Sequence, residues 1–304
     1  MNYPEPFATN IRTVFDDGAK WLERLPALQE EIAAEWGLTV EPPPWPLSYN
    51  WVAPAAMADG TPAVLKLGVP NSERTAEIET LRLWNGKGCA RLLRADADRG
   101  AMLIEKIAPG TMLCEINDDD EQTRIASGVF QAVRYAAPLE SAFPTIADWA
   151  KELDELRPQF DGGFGLFPPE LVEAAQGLYR ELLTSQDAPV LLHGDLHHFN
   201  ILLDKERGWL AIDPQGVIGE AEYECGALLR NYELSKRDRA EMKRITARRI
   251  DILAEILGYD KNRIIGWGLA QAVLSAWWDW HEGLGSDWTS SMFVLADVLK
   301  ELQT

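Results

Sequence analysis

Cysteine is scarce in this chain of 304 residues: Cys89, Cys114 and Cys225 are the only three. They form no metal-type spacing, and an odd count leaves at least one of them unpaired. This fits a reducing, cytoplasmic setting in which the thiols act as small apolar side chains. Long hydrophobic runs are missing too. A membrane-spanning helix needs about 18 uninterrupted apolar residues, and the most apolar helical stretch, 267–280, is broken by Gln271 and Asp279. The start of the chain, Met1-Asn2-Tyr3-Pro4-Glu5-Pro6, has no basic and apolar leader pattern, so export is not expected. Positive charge is in deficit: 29 Lys and Arg stand against 48 Asp and Glu, a net charge of −19. Such a surface repels nucleic acid and anionic membrane. It favours a cationic small molecule, although solubility alone would also account for it. An apolar fraction of 46% and this length leave room for one large or two moderate domains with a sizeable core.

What is present concentrates in one segment. Leu191-Leu192-His193-Gly194-Asp195-Leu196-His197-His198-Phe199-Asn200-Ile201-Leu202-Leu203 is followed by Ala211-Ile212-Asp213. Apolar runs at 190–192, 201–203 and 209–212 read as short buried strands, so the polar residues project from rigid ends. Phosphoryl transfer from a nucleotide needs one carboxylate to orient and deprotonate the acceptor hydroxyl. It also needs an amide oxygen and a second carboxylate to hold Mg²⁺ against the phosphates. Asp195, Asn200 and Asp213 supply that set at the spacing of the kinase pattern His-Arg-Asp…Asn followed by Asp-Phe-Gly. Gly194 stands in place of the Arg, and Pro214-Gln215-Gly216 replaces Phe-Gly. The bland alternative is two polar hairpin turns between core strands.

Upstream, apolar residues at helical spacing over 7–36 predict one or two amphipathic helices, with Pro26 breaking one or starting a turn. Four prolines over 41–46 make a stiff connector. A hairpin follows, with strands over 48–55 and 62–67 and Asp59-Gly60 in the turn. Lys66 lies inside the second strand, where a buried ammonium needs an anion. Donor phosphates and a helix carboxylate would serve, and an outward-facing lysine on an edge strand is the alternative. A helix over 72–84, capped by Ser72, offers Glu77 and Glu79. They point about 200° apart, so only one can meet Lys66, and Glu77 is preferred. A further strand is predicted over 100–107. Helices are predicted over 123–136 behind an acidic run, from Pro169 to 183, over 220–232, 236–257 and 266–284.

His193-Gly194-Asp195-Leu196-His197…Asn200-Ile201-Leu202 resembles the catalytic loop of the aminoglycoside phosphotransferases. The segment 210–220 is similar to their streptomycin kinase and hydroxyurea phosphotransferase branch, with support from 59–68 and 226–231. The resemblance implies an α+β, bilobal protein-kinase-like fold: a small N-lobe with an antiparallel sheet (1–104), a hinge (105–108) and a larger, mostly helical C-lobe (109–304). It implies ATP or GTP as donor, Mg²⁺, and a small hydroxylated acceptor such as an aminoglycoside. Glu105 to Ile107 would then bind the adenine edge through main-chain groups. His197 would lie near the γ-phosphate, while His193 reads as structural, bonded to the main chain near Asp213. The family's Gly-rich loop is replaced by Ser48-Tyr49-Asn50, in which Ser48 and Asn50 would donate hydrogen bonds and Tyr49 is bulky. The acceptor is expected beside the C-terminal helices. There Trp277, Trp278, Trp280 and Trp288 are either core or an aromatic wall, and Asp279 and Glu282 can share a helix face and bind cations. Another hydroxylated metabolite as acceptor, or a non-catalytic binding module on the same scaffold, stays open. Oligomeric state is not legible.

Overall fold

A computed structural model describes residues 3–138, 143–231, 236–283 and 287–303. Contacts divide the chain into two compact units, Met1–Gly110 and Thr111–Thr304. Among the described residues no helix is long and apolar enough to cross a membrane. The predicted helix ends at 232 and 284 lie outside the described residues.

The first unit opens with helices Glu5–Val14 and Gly18–Trp36. Pro26 sits inside the second helix, which corrects the expectation that it breaks the chain there. An interior proline costs about 3 kcal/mol. Burying one large apolar side chain gains about 1.5–3 kcal/mol, and Trp21, Leu22, Leu25, Leu28, Ile32 and Trp36 are all buried. Packing therefore outweighs propensity. These side chains form one core with Trp51, Ala53, Leu65, Leu67 and Leu103 of an antiparallel sheet. The sheet runs, in spatial order, Leu38–Val40, Trp51–Met57, Pro62–Leu67, Ala101–Glu105 and Leu92–Asp96. The hairpin reverses at Gly60 (φ 86°), where the Thr61 N–H donates to Asp59 Oδ1 at 2.9 Å.

Three boundaries differ from expectation for local reasons. The first hairpin strand begins at Trp51, because Ser48 to Asn50 bend and the Asn50 side chain is tied to Arg74. The helix Ser72–Trp84 is capped by Asn71, not Ser72: Asn71 Oδ1 accepts the Arg74 N–H at 2.8 Å. The helix expected over 123–136 spans Asp119–Ala132, because Asp118 caps it and the acidic run forms its first turn, complementing the dipole.

The second unit is mostly helical. Lys261–His281 is its central helix. Every residue from Ile264 to Trp277 is buried, and helices Pro169–Thr184, Cys225–Arg230 and Asp287–Leu302 pack around it. A helix apolar on all sides must be enclosed in this way. Two small sheets carry the polar turns. One pairs Val190–Leu192 with Val217–Gly219 and with Tyr135–Ala136. The other is the hairpin Ile201–Asp204 and Gly208–Ala211, with Pro109–Met112 on its edge.

Candidate active site

The strand Val190–Leu192 delivers His193 and Gly194 into a turn that only glycine can make. Gly194 has φ 85°, and a Cβ there would meet the Trp149 ring at 2.8 Å. Two turns are then laced together. The Gln215 and Gly216 N–H groups donate to the His193 carbonyl at 2.8 and 3.2 Å, and the Ile212 N–H donates to the Asn200 carbonyl at 3.0 Å. His193 Nε2 lies 2.7 Å from the Ile212 carbonyl, while the Asp195 N–H donates to Nδ1 at 3.2 Å. That pattern requires the neutral Nε2–H tautomer, and burial lowers the imidazole pKa to about 4, in agreement. From below, the buried Glu224 carboxylate accepts the N–H groups of His193 (2.7 Å) and Gly194 (3.1 Å). Burial pushes Glu224 up to about 7, against these hydrogen bonds.

Asp195 emerges from this lacing a quarter exposed. Arg230 NH2 donates to Oδ1 at 2.6 Å, and His197 Nε2 is 3.2 Å from Oδ2. Burial alone would raise the carboxyl pKa, but His197 and then Arg230 outweigh it and hold it at about 2. Asn200 Nδ2 donates to the Asp195 carbonyl at 2.9 Å, which fixes the amide and leaves its oxygen as the acceptor end. Asn200 and Asp213 flank the open end of the hairpin, whose last pair is Ala211 with Ile201. Asp213 adopts φ 57°, a left-handed conformation that costs a non-glycine residue about 1–3 kcal/mol and clusters at functional sites.

In the first unit Lys66 is buried, and its Nζ lies 2.6 Å from Glu77 Oε1. Glu79 instead pairs with Arg82 at the surface. Glu77 has a second cation: Arg74 NH1 lies 2.5 Å from Oε2, and Arg74 NH2 donates to Asn50 Oδ1. Gly68 leaves room for this contact, since a Cβ there would collide with both Arg74 and Asn50. The bend at Ser48 to Asn50 is thus fastened by a side chain. The Ser48 carbonyl meets Asn10 Nδ2 at 3.5 Å.

With this geometry in view, the family model for aminoglycoside/hydroxyurea antibiotic resistance kinases matches residues 47–283. The chain belongs to that family. This makes it an enzyme, a small-molecule kinase. It is 31% identical over 294 residues to the streptomycin 6-kinase of Streptomyces glaucescens, covering 93% of this chain and 92% of that one. It is 29% identical over 276 residues to the hydroxyurea phosphotransferase of Kitasatospora aureofaciens, covering 88% and 76%. In fold it is similar to the choline kinase LicA of Streptococcus pneumoniae, with TM-score 0.66, 13% identity, and 92% and 99% of the two chains covered. The α+β kinase-like fold expected from the sequence is therefore the fold of this kinase.

Elsewhere in the kinase, the residues suggested for acceptor binding have structural neighbours. Asp279 Oδ2 accepts the Thr289 hydroxyl at 2.6 Å. Glu282 is the C-cap of the helix that ends at His281, and its N–H donates to the Trp278 carbonyl at 2.9 Å, so it prolongs the helical path by one residue. Trp277 is buried and stacks on Trp280 at 5.5 Å; Trp278 donates to Glu152 Oε2 at 2.5 Å, and Trp288 to Ser275 Oγ at 3.2 Å. Glu105 accepts the Arg91 N–H at 2.7 Å, and its own N–H donates to the Arg91 carbonyl at 3.0 Å. That N–H is engaged within its own sheet, whereas Ile107 lies buried beyond the strand end. Sequence reasoning missed Arg74, Glu224 and Arg230. Arg74 precedes Glu77 by one helical turn, a signal available in principle. Nothing local marks Glu224 or Arg230, which act across 30 and 35 residues.

Proposed function

We propose that this kinase is Mg²⁺-dependent and moves the γ-phosphate of a nucleoside triphosphate, ATP or GTP, to a hydroxyl of a small cationic acceptor. An aminoglycoside of the streptomycin type is the first candidate. The observation that carries this reading is the lacing of the two turns that present Asp195, Asn200 and Asp213. Asp195 accepts or orients the proton of the acceptor hydroxyl. Asn200 Oδ1 and the Asp213 carboxylate are the metal donors. Among the described residues no cluster of three or more His, Cys, Asp or Glu could hold a metal. Two protein oxygens nevertheless fit Mg²⁺, which commonly completes its octahedron with waters and substrate phosphates. Bound there, the ion would neutralise charge on the donor phosphates.

Residues 1–104 are assigned the donor-binding sheet, 105–108 the hinge and 109–304 the remaining machinery. Lys66, fixed by Glu77, takes donor phosphate, and Ser48 and Asn50 of the bend before the first hairpin strand contribute hydrogen bonds to it. Main-chain groups near Glu105 and Ile107 take the adenine edge, with Ile107 the better placed of the two. His197 lies next to the transferring group. Glu282 and the second oxygen of Asp279 offer carboxylates to an acceptor cation. The net charge of −19 and the streptomycin kinase among the relatives favour a cationic acceptor. Three free thiols favour a cytoplasmic setting.

The test is incubation with Mg-ATP and a panel of hydroxylated compounds, streptomycin and hydroxyurea included, read by mass spectrometry. Streptomycin is expected to gain one phosphate. Asp195→Ala is expected to lower turnover by at least about 10²–10⁴-fold, the usual contribution of a positioned base, while calorimetry still detects nucleotide binding. Turnover of Asp195→Ala near the wild-type rate would remove the base. Failure of streptomycin and every other aminoglycoside to gain phosphate would overturn the aminoglycoside as acceptor in favour of another hydroxylated metabolite.

A further inference from the structure

Arg230 ends the short helix Cys225–Arg230 and is 8% exposed. Its NH2 donates to Asp195 Oδ1 at 2.6 Å, and its NH1 donates to Ser275 Oγ at 2.9 Å. Trp288 Nε1 donates to the same hydroxyl at 3.2 Å, so the guanidinium is anchored to both C-terminal helices. Another buried arginine shows what a structural role looks like. Arg249, 1% exposed, grips Asp119 through Nε and NH2 and caps the carbonyls of Leu228 and Asn231 through NH1. Arg230 is not satisfied in that way. Among the described residues its Nε has no hydrogen-bond partner, and Asp195 is the one carboxylate within ion-pair distance of it. Burying a guanidinium is expensive unless the pairing is complete. An incomplete pairing aimed at one carboxylate oxygen is poor cement but a good rotational stop.

The other edge of Asp195 is set by His197. The Phe199 N–H donates to His197 Nδ1 at 3.2 Å, which leaves Nε2–H to donate to Asp195 Oδ2. Two donors on opposite oxygens fix the carboxylate plane, while the carboxylate stays a quarter exposed.

We propose that Arg230, anchored by Ser275, is a positioning residue for the transfer step: it holds Asp195 Oδ1 so that the Oδ2 edge is the one presented to the acceptor hydroxyl. The proposal rests on Asp195 being the group that meets that hydroxyl. Arg230 acts on the reaction only through Asp195, so it affects the rate of transfer and not the capture of nucleotide.

The experiment measures kcat and both KM values for the full chain with Mg-ATP and streptomycin, in Arg230→Met, Arg230→Lys, Ser275→Ala, the double variant Arg230→Met with Ser275→Ala, and Asp195→Asn. Arg230→Met is expected to lower kcat by about 10²-fold, the scale of a misplacement of about 1 Å in the reacting geometry, with KM for ATP within about twofold. Arg230→Lys recovers part of the loss. Ser275→Ala loses less, and the double variant is no slower than Arg230→Met, because groups acting in series are non-additive. Wild-type kcat in Arg230→Met, or penalties that multiply in the double variant, would overturn the proposal. Should Arg230→Met not fold, a wild-type kcat in Ser275→Ala overturns it, and a reduced kcat with unchanged KM for ATP supports it. An inactive Asp195→Asn beside a normal Arg230→Met sinks this inference alone. An active Asp195→Asn sinks the reading of the base as well.

Discussion

Glu77 in the first unit and Asp195 in the second are built alike and work in opposite senses. Each is a carboxylate between two cationic or donor side chains: Glu77 between Lys66 and Arg74, Asp195 between Arg230 and His197. Glu77 is 10% exposed, whereas Asp195 is 25% exposed. The enclosed carboxylate serves its neighbour: it makes a buried lysine tolerable and holds the ammonium in place. The accessible carboxylate is served by its neighbours, which fix its plane and keep it ionised. The same ion-pair chemistry thus holds a buried cation in one unit and a partly exposed anion in the other, and on the proposed function exposure decides which member meets substrate.

Breaking the first pair should have the largest effect on folding. Glu77→Ala leaves two buried cations facing each other, and removal of one partner from a buried pair costs about 3–5 kcal/mol. Chemical denaturation should show that loss, together with weakened ATP binding in calorimetry. If Glu77→Ala is as stable as the wild type, the enclosed carboxylate is not holding its cations.

Next in size is the turn beneath Asp195. Gly194→Ala places a methyl against Trp149 at a φ of 85°. A strained backbone of this kind costs about 1–3 kcal/mol. The expected outcome is that loss in a denaturant titration and a lower kcat, since the turn carries Asp195, the proposed base. Unchanged kcat would mean that the turn tolerates displacement and that the lacing does not position Asp195.

A third experiment isolates the anchor beneath the loop, Glu224, by pH. Burial raises Glu224 from an ordinary 4.5 to about 7. Between those values the folded state binds more protons than the unfolded state, so stability falls as pH rises through the window. Glu224→Gln removes this titration. The stability of the wild type relative to Glu224→Gln should therefore decline by about 1–3 kcal/mol between pH 4.5 and 7.5. A constant difference across that range would place the carboxyl outside the window.

The smallest effect belongs to Glu79, the discarded partner for Lys66. Its pair with Arg82 is about half exposed, and surface pairs contribute about 0–1 kcal/mol. Glu79→Gln should leave both the denaturation midpoint and ATP affinity unchanged, in contrast to Glu77→Ala.

Much of this was legible because the relevant periodicities are local. Short continuous apolar runs marked the strands Val190–Leu192, Ile201–Asp204 and Gly208–Ala211, and the spacing of Asp195, Asn200 and Asp213 marked their ends. Helical phase showed that only one of Glu77 and Glu79 can meet Lys66, placement relative to Gly86 favoured Glu77, and the structure pairs Lys66 with Glu77. Pro26 misled because local propensity was set against a buried helix face whose worth depends on the sheet beneath it.

The chain alone therefore determined the reaction type: which oxygens are available, in what order, and on which short strands, since apolar runs and the spacing of polar residues between them are written in consecutive residues. Tertiary structure decided how those oxygens are held. Arg230 reaches Asp195 across 35 residues and Glu224 reaches Gly194 across 30, contacts that exist only once buried helices bring distant backbone together. A charge-assisted bond depends on distance and burial in space, and neither is encoded in sequence separation.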